Sequence, residues 1–340
     1  MAGELVLITG ATGHIGLRVL VDALEAGYHA RAAVRSQSKG DKILATPSIK
    51  KLNPGNKLEF AIVPDMLAEG AYDEAIKGAT YVIHVASPIT TAVKDGDDYD
   101  EVLIQPAVKG TLNILKAAQK VSGLKRVVIT SSVVAIVPWG DFTSGKSETV
   151  YDENSRQPSP PAPYADTFEA YSASKVFALN ESEKWIKDNK PSFDVINIFP
   201  GFVLGADEFN EKASDGLVGT NFTVLKPAIG EDASYLPAVS VHVKDVSLAH
   251  VLALDSKVPG NQGYILASGG LAGTKWEQVF DVVKSKFPNE VANGVLPNNG
   301  NVVSVPVKVD ERKSEKLLGM KYRGFEDQVE STLSHYLSLL

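Results

Sequence analysis

The chain has 340 residues, a net charge of -7 and no cysteine. Its length supports one large α/β unit with a smaller companion region, and its acidic balance gives no electrostatic reason to seek nucleic acid or anionic lipid. The absence of thiols excludes disulfides and thiolate metal ligands and suits a reducing compartment, so the cytoplasm is expected.

No apolar run is long enough for a membrane helix, and "MAGELVLITG" enters a strand-like run at once, so neither a span nor a cleavable leader is expected. Short apolar runs then alternate with helical patterns: "LVLITG", "HARAAV", "LEFAIV", "TYVIHVAS", "RVVITSS", "DVINIFP" and "GYILAS". Helices are expected over 14 to 26, 71 to 77, 101 to 121 and 168 to 188. Near-continuous apolar strands separated by helices predict a parallel, doubly wound sheet covered on both faces.

Between the first strand and first helix lies "ITGATGHIG", with Gly10, Gly13 and Gly16 spaced three apart. Glycine here permits a tight turn, close approach of backbone to a pyrophosphate and close packing of helix on strand. The helix start then offers free N–H groups to the phosphates. His14, within the turn, can touch a cofactor or face solvent. The second strand ends in "AAVRSQSK", where an NAD site would carry an acid for the ribose hydroxyls. Arg35 stands there, with Lys39 four residues on, a pairing suited to the 2′-phosphate of NADP(H). Asp65, in "VPDML", has two readings: acceptor for the adenine amino group, or cap of the next turn. The small Ala86 and Ser87 of "HVASP" leave room for a cofactor across the sheet edge.

Ser132 ends the fifth strand, facing the same crevice. A Pro-rich loop, "SRQPSPPAPYADTF", leads into "EAYSASKVFAL", where Tyr171 and Lys175 sit one helical turn apart. A phenol can protonate the alkoxide formed when a carbonyl is reduced, but its ordinary pKa of about 10 is high for neutral pH. A cation one turn away is expected to lower it. Ser132 can hydrogen-bond the carbonyl oxygen and fix its position. Tyr171 is then the acid, Lys175 its tuner and Ser132 the orienter. After Pro200 regularity weakens, so residues 1–200 are expected to form the cofactor-binding domain and 201–340 mainly a substrate-binding region, with elements near 236–268 returning to the main body. Six scattered histidines give no metal site, and Ser240, His242 and Asp245 lack the nucleophile elbow of a hydrolase.

"TGATGHIG", "HVASP", "PAVKGTLNIL", "TSS", "YSASK", "PGFVLG" and "VHVKDVSLAH" occur in the order found in extended short-chain dehydrogenase/reductases. The chain most resembles the branch of dihydroflavonol reductases, cinnamoyl-CoA reductases and fungal NADPH-dependent aldehyde and carbonyl reductases. The resemblance implies a Rossmann-type fold and Ser132, Tyr171 and Lys175 as catalytic trio, with Ser131 the weaker of the two serines. It also implies cofactor contacts from Gly10, Thr12, Gly13, His14, Ile15, Gly16, Arg35, Lys39, Asp65, Met66, Val85, Ala86, Ser87 and Thr130. Further along, Tyr171, Lys175, Pro200, Gly201, Phe202 and Val203 would meet the nicotinamide end. Asn113, in "GTLNIL", has either a supporting role or a backbone or solvent contact.

The loops after Pro88 and Ser132, the Pro-rich segment and the region from Phe202 on should roof the substrate. They supply Trp139, Phe142, Tyr164, Phe168, Phe202, Phe209 and Phe222. Such a lining, without an arginine clamp, suits a neutral apolar or aromatic aldehyde or ketone. Two other functions fit parts of the pattern: an epimerase or dehydratase on nucleotide sugars, and a non-catalytic NADP sensor. The chain is expected to work as a monomer or homodimer.

Overall fold

The computed structural model describes residues 3–88, 93–94 and 96–340. Each of the seven apolar runs forms a strand: β1 Leu5–Thr9, β2 His29–Val34, β3 Leu58–Ile62, β4 Tyr81–His84, β5 Arg126–Thr130, β6 Asp194–Pro200 and β7 Gln262–Leu266. They build one parallel seven-stranded sheet in the order β7-β6-β5-β4-β1-β2-β3. The chain runs outward from β1 to β3 and then crosses back to lay β4 beside β1. That reversal opens a crevice at the carboxyl ends of β1 and β4, where open α/β sheets bind ligands.

Five helices matter for the site: α1 His14–Glu25, α2 Gln105–Gln119, α3 Thr167–Asn189, α4 Val243–Leu252 and α5 Phe325–Leu337. On one sheet face, Val19 and Leu20 of α1 and Val246 and Ala249 of α4 join Ile8 and Ile83 in a single apolar cluster. On the other, Ile114 and Leu115 of α2 pack with Leu7, Val82 and Val127. Cover on both faces explains why β4 is buried at every residue and could not show polar alternation. A third cluster, with Phe199, Phe202, Trp276, Val329 and Leu333, lies under α5.

The helix expected over 71 to 77 is instead a series of turns. Tyr72, Ala75 and Ile76 are buried as a helical spacing would bury them. Gly70 and Gly78, both at positive φ, bracket the segment and bend the chain away from a continuing helix. The helix over 101 to 121 begins as a π-helical turn, Asp100–Ile104, before α2. In "AVSVHVKDVSLAHVLAL" the strand Ser240–His242 pairs with Phe202–Leu204 outside the main sheet, and α4 then returns to pack on α1.

Candidate active site

The three turn glycines have different physical reasons. Gly10 has φ +74°, and a Cβ there would stand 2.6 Å from the Ala86 nitrogen. A Cβ on Gly16 would stand 2.0 Å from the Gly10 carbonyl oxygen, so α1 can pack this close only as glycine. A Cβ on Gly13 would meet nothing nearer than 3.6 Å, and no side chain caps α1 there. Gly13 therefore serves an open approach, not a packed one. A bare helix start beyond a tight turn fits a pyrophosphate.

The neighbouring contacts divide. Ile15 packs on the apolar core and offers only its backbone, while Thr12 is half-buried. The His14 ring lies against the Gly205 to Asp207 segment, its Nε2 buried with no hydrogen-bond partner among the described residues. Burial holds its pKa below the ordinary value, opposed by the Asp207 carboxylate. Arg35 follows β2 directly, and both it and Lys39 are exposed without a hydrogen bond or ion pair from their side chains among the described residues. Two free cations at that strand end fit a phosphate.

Asp65 accepts from the Leu67 backbone N–H at 2.8 Å, the capping reading of this residue. Asn113 donates to the Met66 and Ala68 carbonyls at 2.9 and 3.0 Å and so ties the loop carrying Asp65 and Met66 to α2. Thr130 Oγ1 lies 2.8 Å from His250 Nε2, and His250 Nδ1 lies 2.7 Å from the Val246 carbonyl. That carbonyl must accept from Nδ1, so Nε2 accepts from Thr130, whose hydroxyl is thereby taken up. Val203 is buried in the core, and Phe202 packs against other rings. Neither side chain is open to a cofactor as expected, because the short strand Phe202–Leu204 is covered on both faces. Pro200 ends β6, and Gly201 lies so close to Val239 that a Cβ would stand 2.8 Å away. Val85 is half-buried against the core, leaving Ala86 and Ser87 as the strand-end residues that open onto the crevice.

α3 starts cleanly because the Asp166 carboxylate accepts from the Phe168 and Glu169 N–H groups at 2.8 and 2.9 Å. The face carrying Tyr171 and Lys175 turns inward: Lys175 is 6% exposed. Its Nζ donates to Ser87 Oγ at 3.0 Å and lies 5.5 Å from the centre of the Tyr171 ring. No carboxylate pairs with it among the described residues. A buried, unpaired ammonium is costly, and such groups gather at functional sites. Ser132 lies beside the Tyr171 hydroxyl, close enough to hold its pKa down, and its Oγ accepts from the Val134 N–H at 3.4 Å, while Ser131 is pinned by its N–H to the Ile198 carbonyl at 2.8 Å and lines a small cavity beside Lys175.

The expected acidification of the phenol is not what the structure shows. Burial pushes Tyr171 up to about 12, with the nearby Ser132 hydroxyl opposing, and burial pushes Lys175 down to about 8. The ammonium points at Ser87 and sits over the ring rather than beside the oxygen, so desolvation outweighs its attraction.

Of the expected aromatic lining, Trp139 and Phe168 are half-buried and linked to one another at 5.3 Å, and Phe168 lies 6.1 Å from the half-buried Tyr171 ring. Phe202 joins at 6.1 Å from Phe168. Phe142 is core, Phe209 packs on the sheet cluster, Phe222 lies under α5, and Tyr164 bonds the Pro160 carbonyl at 3.1 Å. The loop after Pro88, expected to help roof the site, lies partly outside the described residues. Trp276, 5.8 Å from Phe202, extends the ring cluster and had no signal in "TKWEQVF" beyond an ordinary helical pattern. Also missed was His84, two residues before Ala86, which lines the cavity beside Lys175. The triad-like Ser240, His242 and Asp245 are structural: Ser240 bonds Gln328, His242 caps α4 by accepting from Lys244 N–H, and Asp245 pairs with Arg323.

A ketoreductase of Cercospora nicotianae is 38% identical over 345 residues, covering 100% of this chain and 96% of that protein. Aldehyde reductase 2 of Sporidiobolus salmonicolor is 32% identical over 324 residues, 93% of this chain and 90% of its own. The crystal structure of Gre2 from Candida albicans in complex with NADPH aligns with a TM-score of 0.81 at 26% identity, over 99% of both chains. Residues 6–267 match the NAD dependent epimerase/dehydratase family. With its glycine turn, its sheet order and these relatives in agreement, the chain belongs to the NAD dependent epimerase/dehydratase family.

Proposed function

We propose that the chain is an NADPH-dependent reductase of aldehydes and ketones, with Tyr171 as proton donor, Ser132 orienting the carbonyl and Lys175 steadying the phenolate. The observation that carries the reading is Lys175, an ammonium buried between Ser87 and the Tyr171 ring with no counter-ion among the described residues. The ketoreductase and aldehyde reductase among its relatives support it. NADPH, named with the Candida albicans structure, supports the cofactor, as do the exposed Arg35 and Lys39, unpaired among the described residues.

When bound, NADPH supplies a hydride to the carbonyl carbon. The chain's own residues handle the oxygen. A phenol held near 12 is fully protonated at neutral pH, so the acid form stands ready. Ser132, beside that phenol, would donate to the same oxygen as charge gathers there. The oxygen takes the Tyr171 proton, and the phenolate left behind meets the Lys175 ammonium, which a pKa near 8 keeps mostly charged. High phenol pKa favours this direction over alcohol oxidation, which would need the phenolate at the outset.

Half-buried Trp139 and Phe168 beside Tyr171 suit a neutral apolar or aromatic substrate. Residues 1–200 would hold the cofactor and 201–340 mainly the substrate, with a cytoplasmic monomer or homodimer as the working form. Arg35 in place of an acid speaks against a nucleotide-sugar epimerase on tightly held NAD. The test mixes the protein with NADPH and a panel of aromatic aldehydes, ketones and diketones while reduced-nicotinamide absorbance is followed. Oxidation with at least one is expected; tight NADPH binding without oxidation of any would turn the reading toward a sensor.

A further inference from the structure

β1 and β4 are neighbours in the sheet, and Thr9 and His84, at their ends, face each other in register. Both side chains are buried. The Thr9 hydroxyl accepts from the Ala86 N–H at 3.2 Å and lies 2.8 Å from His84 Nδ1. A hydroxyl has one proton to give, and among the described residues no other acceptor takes it, so it goes to Nδ1. The imidazole then keeps its own proton on Nε2. Burial and the Lys175 ammonium hold the ring uncharged, its pKa pushed down to about 3. Tyr72, edge-on at 6.2 Å, is the other titratable group packed against it.

Two parts of the site lean on the same short backbone. Gly10 of the phosphate turn touches Ala86, and Ser87 receives Lys175. His84, Ala86, Ser87 and Lys175 line one small cavity. We propose that His84 is a positioning residue of the reductase: as a neutral Nε2–H imidazole it fixes, through Thr9, the Ala86–Ser87 backbone that sets both the phosphate turn and Lys175. The inference rests on the reductase reading above. A role in packing alone would accept any side chain of similar size, whereas this role needs an acceptor at Nδ1.

The test has two arms on the full chain. In ¹⁵N-histidine NMR, His84 should show the neutral Nε2–H tautomer unchanged from pH 8 to about 5.5, and Thr9→Val should mix the tautomers. A ring that titrates in that range, or one protonated on Nδ1, would overturn the assignment. In the second arm, His84→Leu should weaken NADPH binding about tenfold, the size of one buried hydrogen bond. It should also lower the pKa of the alkaline limb of kcat/KM, where the Lys175 proton is expected to be lost. His84→Asn, which returns an acceptor near Nδ1, should restore both. Equal behaviour of the Leu and Asn variants would overturn the role. Thermal midpoints identify a variant that fails to fold, in which case Thr9→Val against Thr9→Ser reads the same bond. Wild-type protein that binds no NADPH would overturn the reductase reading and this role together; wild type that binds and turns over, with the Leu variant unchanged, overturns the role alone.

Discussion

The floor of the site and its aromatic wall are held by different means. The floor, comprising the glycine turn, Ala86 and Ser87, is set by backbone atoms so close that a single Cβ at Gly10 or Gly16 would collide with main chain. The wall of Trp139, Phe168 and Phe202 is set by side-chain rings 5.3 to 6.1 Å apart. On the proposed reading the floor would fix where cofactor and acid meet. The wall decides what is presented to them.

The largest effect expected from this contrast is in the floor. Gly16→Ala places a methyl against the Gly10 carbonyl, which cannot yield, and should cost about 3 kcal/mol or more, with loss of NADPH binding. A normal urea midpoint and normal affinity would show that the turn is not so constrained. Next is Arg35→Asp, which sets a carboxylate against the 2′-phosphate. NADPH affinity should fall about a hundredfold, on the scale of a lost charge-assisted contact plus new repulsion, while NADH changes little. Equal changes for both nucleotides would remove Arg35 from phosphate recognition. In the wall, Phe168→Ala should raise KM for aromatic carbonyls about tenfold through lost ring contact and leave NADPH affinity unchanged. An altered NADPH affinity would mean that floor and wall are not separable.

A separate effect, on stability and away from floor and wall, concerns pH. His250 is buried and neutral, its pKa pushed down by burial to about 4. A group whose folded pKa is depressed lends its full stability above the unfolded value and loses it as pH falls toward the folded one. Between pH 6.5 and 4 the unfolded chain takes up this proton and the native chain does not, so stability should fall by about 1.4 kcal/mol per pH unit from this residue. Urea midpoints of wild type and His250→Gln at pH 6.5, 5.5 and 4.5 check the slope. Parallel lines for the two proteins would remove His250 as a source.

Backbone requirements were the legible part of the sequence. Seven strands announced themselves because burial on both faces leaves nearly unbroken apolar runs, and the glycine spacing announced the turn because no other residue could occupy Gly10 or Gly16. Tyr171 and Lys175 were legible as a pair because helical geometry alone brings them together. What was not legible depended on tertiary neighbours. Whether Lys175 acidifies the phenol turns on where its Nζ points, and Ser87, 88 positions away in sequence, decides that. The turns over 71 to 77 copied a helical burial pattern without helical hydrogen bonding, and their flanking glycines were the overlooked sign. Phe202 and Val203 looked available beside "PG", but Val203 packs into the core cluster on one face and Phe202 into the ring cluster on the other.

Tyr171→Phe removes one oxygen and nothing else, so it isolates the proton transfer from the rest of the site. Turnover of an accepted carbonyl should fall by about 10³-fold, within the range for loss of a general acid, with NADPH affinity and thermal midpoint near wild type. A variant that still reduces the carbonyl at the wild-type rate would show that the proton comes from elsewhere.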